Sequence, residues 1–102
     1  MKLFVLGNVG IDRFYYVKKF PFNGETILST KEIDDIGGKG FNQSIAAARV
    51  GIKISFWSYL GEDNYNKKII SILKKENIST KNITITDYKT DESVIIVNEK
   101  GE

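Results

Sequence analysis

Hydrophobic and polar positions along the 102-residue chain form segments of strand-like and helix-like period. The first is a continuous apolar run, residues 3–6, which predicts a central strand buried on both faces. Residues 7–12 are then predicted as a loop at the carboxyl end of that strand, where α/β sheets place their ligands. Three further strand-like segments cover residues 53–60, 83–86 and 93–97.

Two segments have a helical pattern. An alanine-rich helix is predicted to begin near Asn42 and to stop at Gly51. A second begins at a capping residue, Asp63 or Asn64, carries apolar residues at helical spacing and ends near Asn77. Strands that alternate with helices in this way predict an α/β layer with right-handed crossovers.

The stretch between the first strand and the first helix follows neither pattern closely. Residues 14–17 are aromatic and predict a short strand, and the only proline, Pro21, lies in a turn-forming stretch. Residues 27–36 alternate loosely, with few apolar residues on either face. They predict an exposed strand or a strand at the edge of a sheet.

Composition narrows the class of protein. With 41% hydrophobic and 27% charged residues, the chain is typical of one soluble globular domain. Its net charge of +2 is too small to argue for binding to nucleic acid or an anionic membrane. No apolar run approaches the roughly 20 residues of a membrane span, and residues 1–6 are too short for a signal peptide. The lack of cysteine fits a cytoplasmic protein.

The lack of histidine restricts the chemistry further. With neither His nor Cys, the chain holds no Ser-His triad, no imidazole base and almost no means of building a zinc site. No metal site is predicted, and any acid–base work falls to Asp, Glu, Lys or Tyr.

The run Gly37-Gly38-Lys39-Gly40-Phe41-Asn42-Gln43 joins a strand-like segment to the first helix-like one. Glycines let a ligand approach the backbone, and the first N–H groups of a helix have no partner within it. Lys39 adds a charge, and Asn42 adds a donor and an acceptor. The run therefore suits a small polyhydroxylated or anionic ligand, although a tight turn with a solvated lysine explains it equally well.

Two better-known phosphate-binding loops are excluded by counting. A Walker A loop needs a glycine where Ile33 stands and a Ser or Thr where Gly40 stands. The dinucleotide fingerprint G-x-G-x-x-G would need a third glycine at Gln43.

In order and spacing, four segments resemble the N-terminal third of a ribokinase-like (PfkB) carbohydrate kinase. The resemblance implies the N-terminal portion of a three-layer α/β/α fold with a small β-lid. The segments are Gly7-Asn8-Val9-Gly10-Ile11-Asp12, Phe20-Pro21-Phe22-Asn23-Gly24-Glu25-Thr26, residues 37–51 and Gly61-Glu62-Asp63.

The resemblance also implies a substrate site, in which Asp12, Gly38, Lys39 and Asn42 contact hydroxyls of a sugar or nucleoside. A carboxylate accepts from vicinal hydroxyls, and the loop amides donate. The alternatives are structural: a turn aspartate for Asp12, a solvated charge for Lys39 and a helix N-cap for Asn42. Gly61-Glu62-Asp63 is explained equally well by helix capping.

The lid strands implied by the resemblance cover residues 14–17, 27–36 and 93–98, and in the family they often join two subunits. A homodimer through these strands is therefore an expectation. Tyr15, Tyr16 and Phe20 either form an apolar wall for a sugar or a partner, or pack within the lid.

The chain departs from the family pattern at Gly10, where relatives that take ribose carry an asparagine, and this puts ribose in doubt. The family's glycine-alanine-glycine-aspartate motif, with its catalytic base, has no counterpart here. We therefore expect a truncated kinase domain in which residues 1–102 are the substrate-binding and lid portion, without the ATP-binding and catalytic part.

By the resemblance, the full-length enzyme transfers the γ-phosphate of ATP to a primary hydroxyl, with Mg²⁺. This chain is expected to hold no catalytic residue, to bind neither ATP nor Mg²⁺ and to be inactive alone. Two alternatives remain: a non-catalytic sugar-binding or dimerisation module, and a chain that cannot fold by itself because half an α/β sheet leaves an open edge and an uncovered face.

Overall fold

The computed structural model describes residues 2–102. Within these residues, six strands and two helices build two sheets and one helical layer. In chain order they are β1 (Lys2–Leu6), β2 (Gly10–Tyr16), β3 (Lys31–Gly37), α1 (Lys39–Arg49), β4 (Lys53–Gly61), α2 (Asn64–Lys75), β5 (Ser79–Thr86) and β6 (Asp91–Val97).

The main sheet is parallel and has the strand order β1-β4-β5. The chain crosses from β1 to β4 through α1, and from β4 to β5 through α2. Both crossovers move in the same direction along the sheet, so right-handed connections place both helices on one face. The predicted α/β layer is confirmed.

The hydrophobic core lies between this face and the helices. Along β4 the buried Ile54, Phe56 and Leu60 point towards the helices, and Ile69 and Leu73 of α2 pack against them. Each of these five side chains is at most 2% exposed. The alternation along β4 is the period of a strand with one covered face.

The opposite face of the main sheet is bare. It carries four apolar side chains, of which Phe4 is 63% exposed and Leu6 is 83% exposed, together with Trp57 and Tyr59. The prediction that residues 3–6 are buried on both faces was therefore wrong. An apolar run shows that a strand suits burial, but no layer among residues 2–102 covers this face.

The second sheet, which we call the lid sheet, has the order β3-β2-β6, with β3 antiparallel and β6 parallel to β2. Strand β2 begins at Gly10, so the predicted loop after β1 shortens to residues 7–9. Strand β3 lies at the edge, as its sparse apolar pattern predicts, but residues 27–30 lie outside it.

The helix ends follow local rules. Helix α1 begins at Lys39, three residues before the predicted start, and its N-cap is Gly38. The alternative role of Asn42 as N-cap is therefore wrong. Asp63 caps α2, and Gly51 (φ 91°) and Asn77 (φ 59°) follow the two helices in the left-handed conformation that ends helices. Within residues 2–102, neither helix is long and apolar enough to cross a membrane.

Candidate functional site

The glycine-rich turn packs its backbone directly on the loop that follows β1. Gly38 has φ 112°, which favours glycine, and a Cβ there would lie 2.6 Å from the carbonyl oxygen of Asn8. A Cβ on Gly40 would lie 2.8 Å from Cα of Gly7. The N–H of Phe41 donates to the carbonyl of Asn8 at 3.1 Å. This contact holds the start of α1 against the carboxyl end of β1.

Asp12 faces the same turn from the lid sheet. It is half-buried in β2, where it pairs with Asp35 of β3, and its carboxylate lies over Gly37. A methyl group on Gly37 would come within 2.7 Å of Cγ of Asp12. The carboxylate of Asp12 therefore occupies the space that a side chain on Gly37, the residue before the N-cap, would need. The structure brings Asp12 and the glycine-rich turn together, as the motif predicts.

Lys39 and Asn42 lie in the first turn of α1, three residues apart, and residues at this spacing share a helix face. Both are exposed. Within residues 2–102, the side chains of Asp12, Lys39 and Asn42 form no hydrogen bond or ion pair with the protein. All three polar groups are therefore open to a ligand.

Two backbone donors at the helix start are also unpaired among residues 2–102. In the described part of the chain, the N–H groups of Lys39 and Gly40 have no acceptor, whereas the N–H of Asn42 donates to Gly38 at 2.9 Å. Gly38 offers no side-chain cap. Unpaired N–H groups at the positive end of a helix attract oxygen ligands. Together with Asp12 they can offer both donors and an acceptor to one polyol.

The Gly61-Glu62-Asp63 segment has a structural role. Oδ1 of Asp63 accepts from the N–H of Tyr65 at 3.0 Å, and its carboxylate also binds Thr90, just before β6. Burial alone would raise the pKa of Asp63, but hydrogen bonds from Thr90, Tyr65 and Asn66 outweigh it, so the pKa is lowered. Helix capping, one of the two explanations left open by the sequence, is confirmed.

Sequence reasoning missed the side chains that connect the lid sheet to the rest of the molecule. Arg13 of β2 contacts the hydroxyl of Tyr65 in α2 and pairs with Glu92 of β6 at 3.2 Å. Tyr59 of β4 donates to Asp91 of β6. These residues lie far apart in sequence, and no local pattern signals their contact.

Comparison with models of known protein families identifies the family of this chain. A model of the pfkB family of carbohydrate kinases matches residues 1–102. The chain belongs to this family. The predicted resemblance is thereby confirmed over the whole chain.

Several similar proteins are ribokinases. The Haemophilus influenzae ribokinase is 36% identical over 101 residues, which cover 98% of this pfkB-family chain and 33% of that enzyme. The chain spans about a third or less of the length of the curated relatives it matches.

Solved structures show the same fold. The Cryptococcus neoformans ribokinase in complex with ADP superposes with a TM-score of 0.86 and 31% identity, over 99% of this chain and 32% of that one. The Arabidopsis thaliana ribokinase complexed with ribose and ATP gives a TM-score of 0.84 and 25% identity, over 97% and 33%. The chain therefore has the fold of the N-terminal portion of a ribokinase.

Proposed function

We propose that residues 1–102 form the sugar-binding and lid portion of an ATP-dependent carbohydrate kinase, which transfers the γ-phosphate to a primary hydroxyl of a sugar or nucleoside. The observation that carries this proposal is the position of the Asp12 carboxylate. It lies over Gly37, beside the N-terminus of α1, which has no side-chain cap. Membership of the pfkB family and the ribose and nucleotide complexes of the solved relatives support it.

In this proposal Asp12 accepts hydrogen bonds from two hydroxyls of the substrate. The side chains of Lys39 and Asn42 and the open amides at Lys39 and Gly40 donate to substrate oxygens, while the backbone of Gly38 allows close approach. Hydrogen bonds that involve an ionised group are about twice as strong as neutral ones, so the charged side chains of Asp12 and Lys39 should contribute most to affinity.

The lid sheet would supply the apolar side of the site. Side chains of alternate residues in a strand share a face, so Phe14 and Tyr16 lie on the face of β2 that carries Asp12. By register, Ile95 and Val97 of β6 lie on this face as well. Such a surface suits the C–H groups of a sugar ring, beside a carboxylate that binds its hydroxyls.

Catalysis is assigned to other parts of the family fold. Phosphoryl transfer needs a positioned hydroxyl, stabilisation of charge on the phosphates and usually a metal ion. The groups above serve only the first requirement. We therefore place the base and the sites for ATP and Mg²⁺ in the two-thirds of the relatives' length that this chain does not match, and expect the 102 residues to bind neither and to be inactive alone. A cytoplasmic location stays a prediction.

Calorimetric titration with pentoses, hexoses and nucleosides tests the binding role. We expect one of these ligands to bind, and Asp12→Asn to weaken it about tenfold or more, the effect of losing a charged hydrogen bond. Asp87→Asn, at an exposed carboxylate in the turn before β6, is the matched control and should bind normally. Absence of binding by the folded wild-type protein, or equal binding by Asp12→Asn, would contradict the proposal.

A coupled ADP-release assay tests the assignment of catalysis. The 102 residues should give no turnover with any ligand that binds. Turnover above background that Asp12→Asn abolishes would show that the catalytic groups lie within this chain.

A second role, dimerisation through the lid, is favoured by exposed apolar side chains on the face opposite to Asp12. Val94 is 62% exposed and Ile96 is 45% exposed there, next to Tyr15. We propose that a second copy of the chain covers this surface. Sedimentation equilibrium should show self-association that Ile96→Lys weakens, while Lys100→Glu in the terminal turn leaves it unchanged. A wild-type monomer at all concentrations would exclude this role.

A further inference from the structure

One row of the lid sheet places an acidic residue next to the glycine at which this chain departs from the ribose-binding pattern. Gly10 of β2 pairs with Gly37 of β3 on one side and with Asp91 of β6 on the other. Residues in register on neighbouring strands project from the same face, and so do residues two apart in one strand. Asp91 therefore shares the face of the lid sheet that carries Asp12.

Both glycines of this row leave room for an aspartate: Gly37 for the carboxylate of Asp12, and Gly10 for the backbone carbonyl of Asp91. The carboxylate of Asp12 occupies the place of a Gly37 side chain. A Cβ on Gly10 would lie 2.5 Å from the carbonyl oxygen of Asp91 and 3.1 Å from its Cβ. The Asp12 carboxylate thus lies at the β3 end of this row and Asp91 at its β6 end, with Gly10 between them. Neighbouring strands are about 4.8 Å apart, so the two ends of the row are about 10 Å apart, and separate hydroxyls of one sugar lying over Gly10 can reach both carboxylates.

A residue of the main sheet holds the side chain of Asp91 in place. The hydroxyl of Tyr59 donates to its carboxylate, at 3.2 Å from Oδ1 and 3.3 Å from Oδ2, and this hydrogen bond raises the pKa of Tyr59. Asp91 is exposed, and a carboxylate has about four acceptor positions, so one tyrosine leaves it free to accept from a ligand.

We infer that Asp91 is a specificity-determining residue, which accepts a hydrogen bond from a hydroxyl or amino group of the substrate. The inference rests on the proposed sugar-binding function. An asparagine at the position of Gly10 would offer a donor and an acceptor, whereas the carboxylate of Asp91 only accepts. The site then demands a donor at that point of the substrate and discriminates against an analogue that carries hydrogen or a methoxy group there.

The test combines changes in the protein with changes in the ligand. Calorimetry first identifies the tightest-binding sugar among D-ribose, D-fructose, D-glucose and D-glucosamine, and then measures its monodeoxy analogues with wild type and with Asp91→Ala. Analogues that lack a hydroxyl bound by Asp12 are recognised by the loss of their penalty in Asp12→Asn. With wild type, one further analogue should bind about tenfold more weakly than the parent sugar. With Asp91→Ala, this penalty should fall to about twofold or less.

Two further variants separate ligand recognition from a structural role. Tyr59→Phe removes the tether but keeps the carboxylate, so it should retain the penalty for the deoxy analogue. Asp91→Glu should restore part of the penalty that Asp91→Ala loses. Asp87→Ala is the charge-matched control and should behave as wild type. A purely structural Asp91 would instead make Tyr59→Phe and Asp91→Ala alike.

The outcomes distinguish this inference from the proposed function. One outcome is that the wild-type protein binds sugars and Asp12→Asn binds them more weakly, while Asp91→Ala leaves the relative affinities of the deoxy analogues unchanged. In that case the role of Asp91 is wrong and the sugar site stands. If the folded wild-type protein binds none of the sugars, the sugar site and the role of Asp91 are both wrong.

Discussion

Thr90 donates both its backbone N–H and its hydroxyl to the carboxylate of Asp63, at 2.9 and 3.1 Å. The same carboxylate caps α2, and the Thr90 hydroxyl in turn accepts from the N–H of Gly61 at 2.9 Å. Thr90 is 2% exposed. One side chain therefore joins the end of β4, the start of α2 and the approach to β6 of the lid sheet.

Replacing Asp63 should destabilise the protein. Asp63→Asn removes the charge and replaces one carboxylate oxygen, an acceptor, with an amide nitrogen, a donor. The remaining oxygen cannot accept from both Thr90 groups and from the N–H of Tyr65. We expect a loss of about 1–3 kcal/mol in the free energy of unfolding, measured by urea denaturation. Asp87→Asn, at an exposed carboxylate, should change it by less than about 0.5 kcal/mol. Equal stability of the two variants would contradict the role of Asp63.

The lowered pKa of Asp63 predicts acid sensitivity. Burial opposes its ionisation, but the hydrogen bonds from Thr90 and the start of α2 hold its pKa below the unfolded value. Its stabilising contribution is therefore present above the unfolded pKa of about 3.9, and is lost as pH falls through the lower folded value. Below about pH 4, wild type should lose more stability than Asp63→Asn in urea titrations. Parallel pH profiles would count against this.

Gly40→Ala should destabilise the protein although alanine is the better helix former. The new methyl would lie 2.8 Å from Cα of Gly7 and 2.9 Å from the amide nitrogen of Asn8, and neither backbone atom can rotate away. The higher helix propensity of alanine alone would stabilise the folded protein by about 1 kcal/mol, whereas overpacking destabilises it by about 1–3 kcal/mol. Thermal unfolding should show a lower Tm. Gln43→Ala, exposed on α1, should not lower the Tm, and a higher Tm for Gly40→Ala would exclude the close contact.

Tyr65→Phe should loosen the lid sheet. Arg13 contacts the Tyr65 hydroxyl, and its guanidinium lies 5.6 Å from the centre of the tyrosine ring. Losing the hydroxyl removes a hydrogen bond between α2 and β2. Amide hydrogen exchange of β2 should become faster while that of β4 stays unchanged. Unchanged protection of β2 would show that this contact does not hold the lid.

The bare face of the main sheet predicts self-association. The rings of Phe4 and Trp57 meet edge to face with centroids 6.1 Å apart and stay largely exposed, beside Leu6. The double variant Phe4→Ser/Trp57→Ser should lower the sedimentation coefficient of the associated protein. Leu28→Ser, at an exposed leucine outside this face, is the control. Equal association of both variants would show that other surfaces drive it.

Local signals predicted the helix boundaries of the second half well, whereas β5 and β6 begin at Ser79 and Asp91, before the predicted starts at residues 83 and 93. The end of β4 at Gly61, the cap at Asp63 and the stop at Asn77 each depend on a few neighbouring residues. The start of α1 was predicted too late, because Gly38 has no capping side chain and glycine is a weak helix former.

The candidate site was only partly visible in the sequence. The glycine-rich turn and Asp12 stand out as motifs, and the structure places them together. Thr90, Tyr59 and Asp91 carried no such signal, because their contacts depend on the pairing of β6 with β2 and on the packing of the lid sheet against the main sheet.

By itself, the sequence determined the α/β class, the family and the glycine-rich turn, because periodicity, capping and motif spacing are local properties of the chain. Only the tertiary structure decided that one face of β1 lies bare, that the Asp12 carboxylate lies over Gly37 and that Asp91 stands beside Gly10. These relationships depend on which strands pair and in which register, and contacts between residues distant in sequence set that choice.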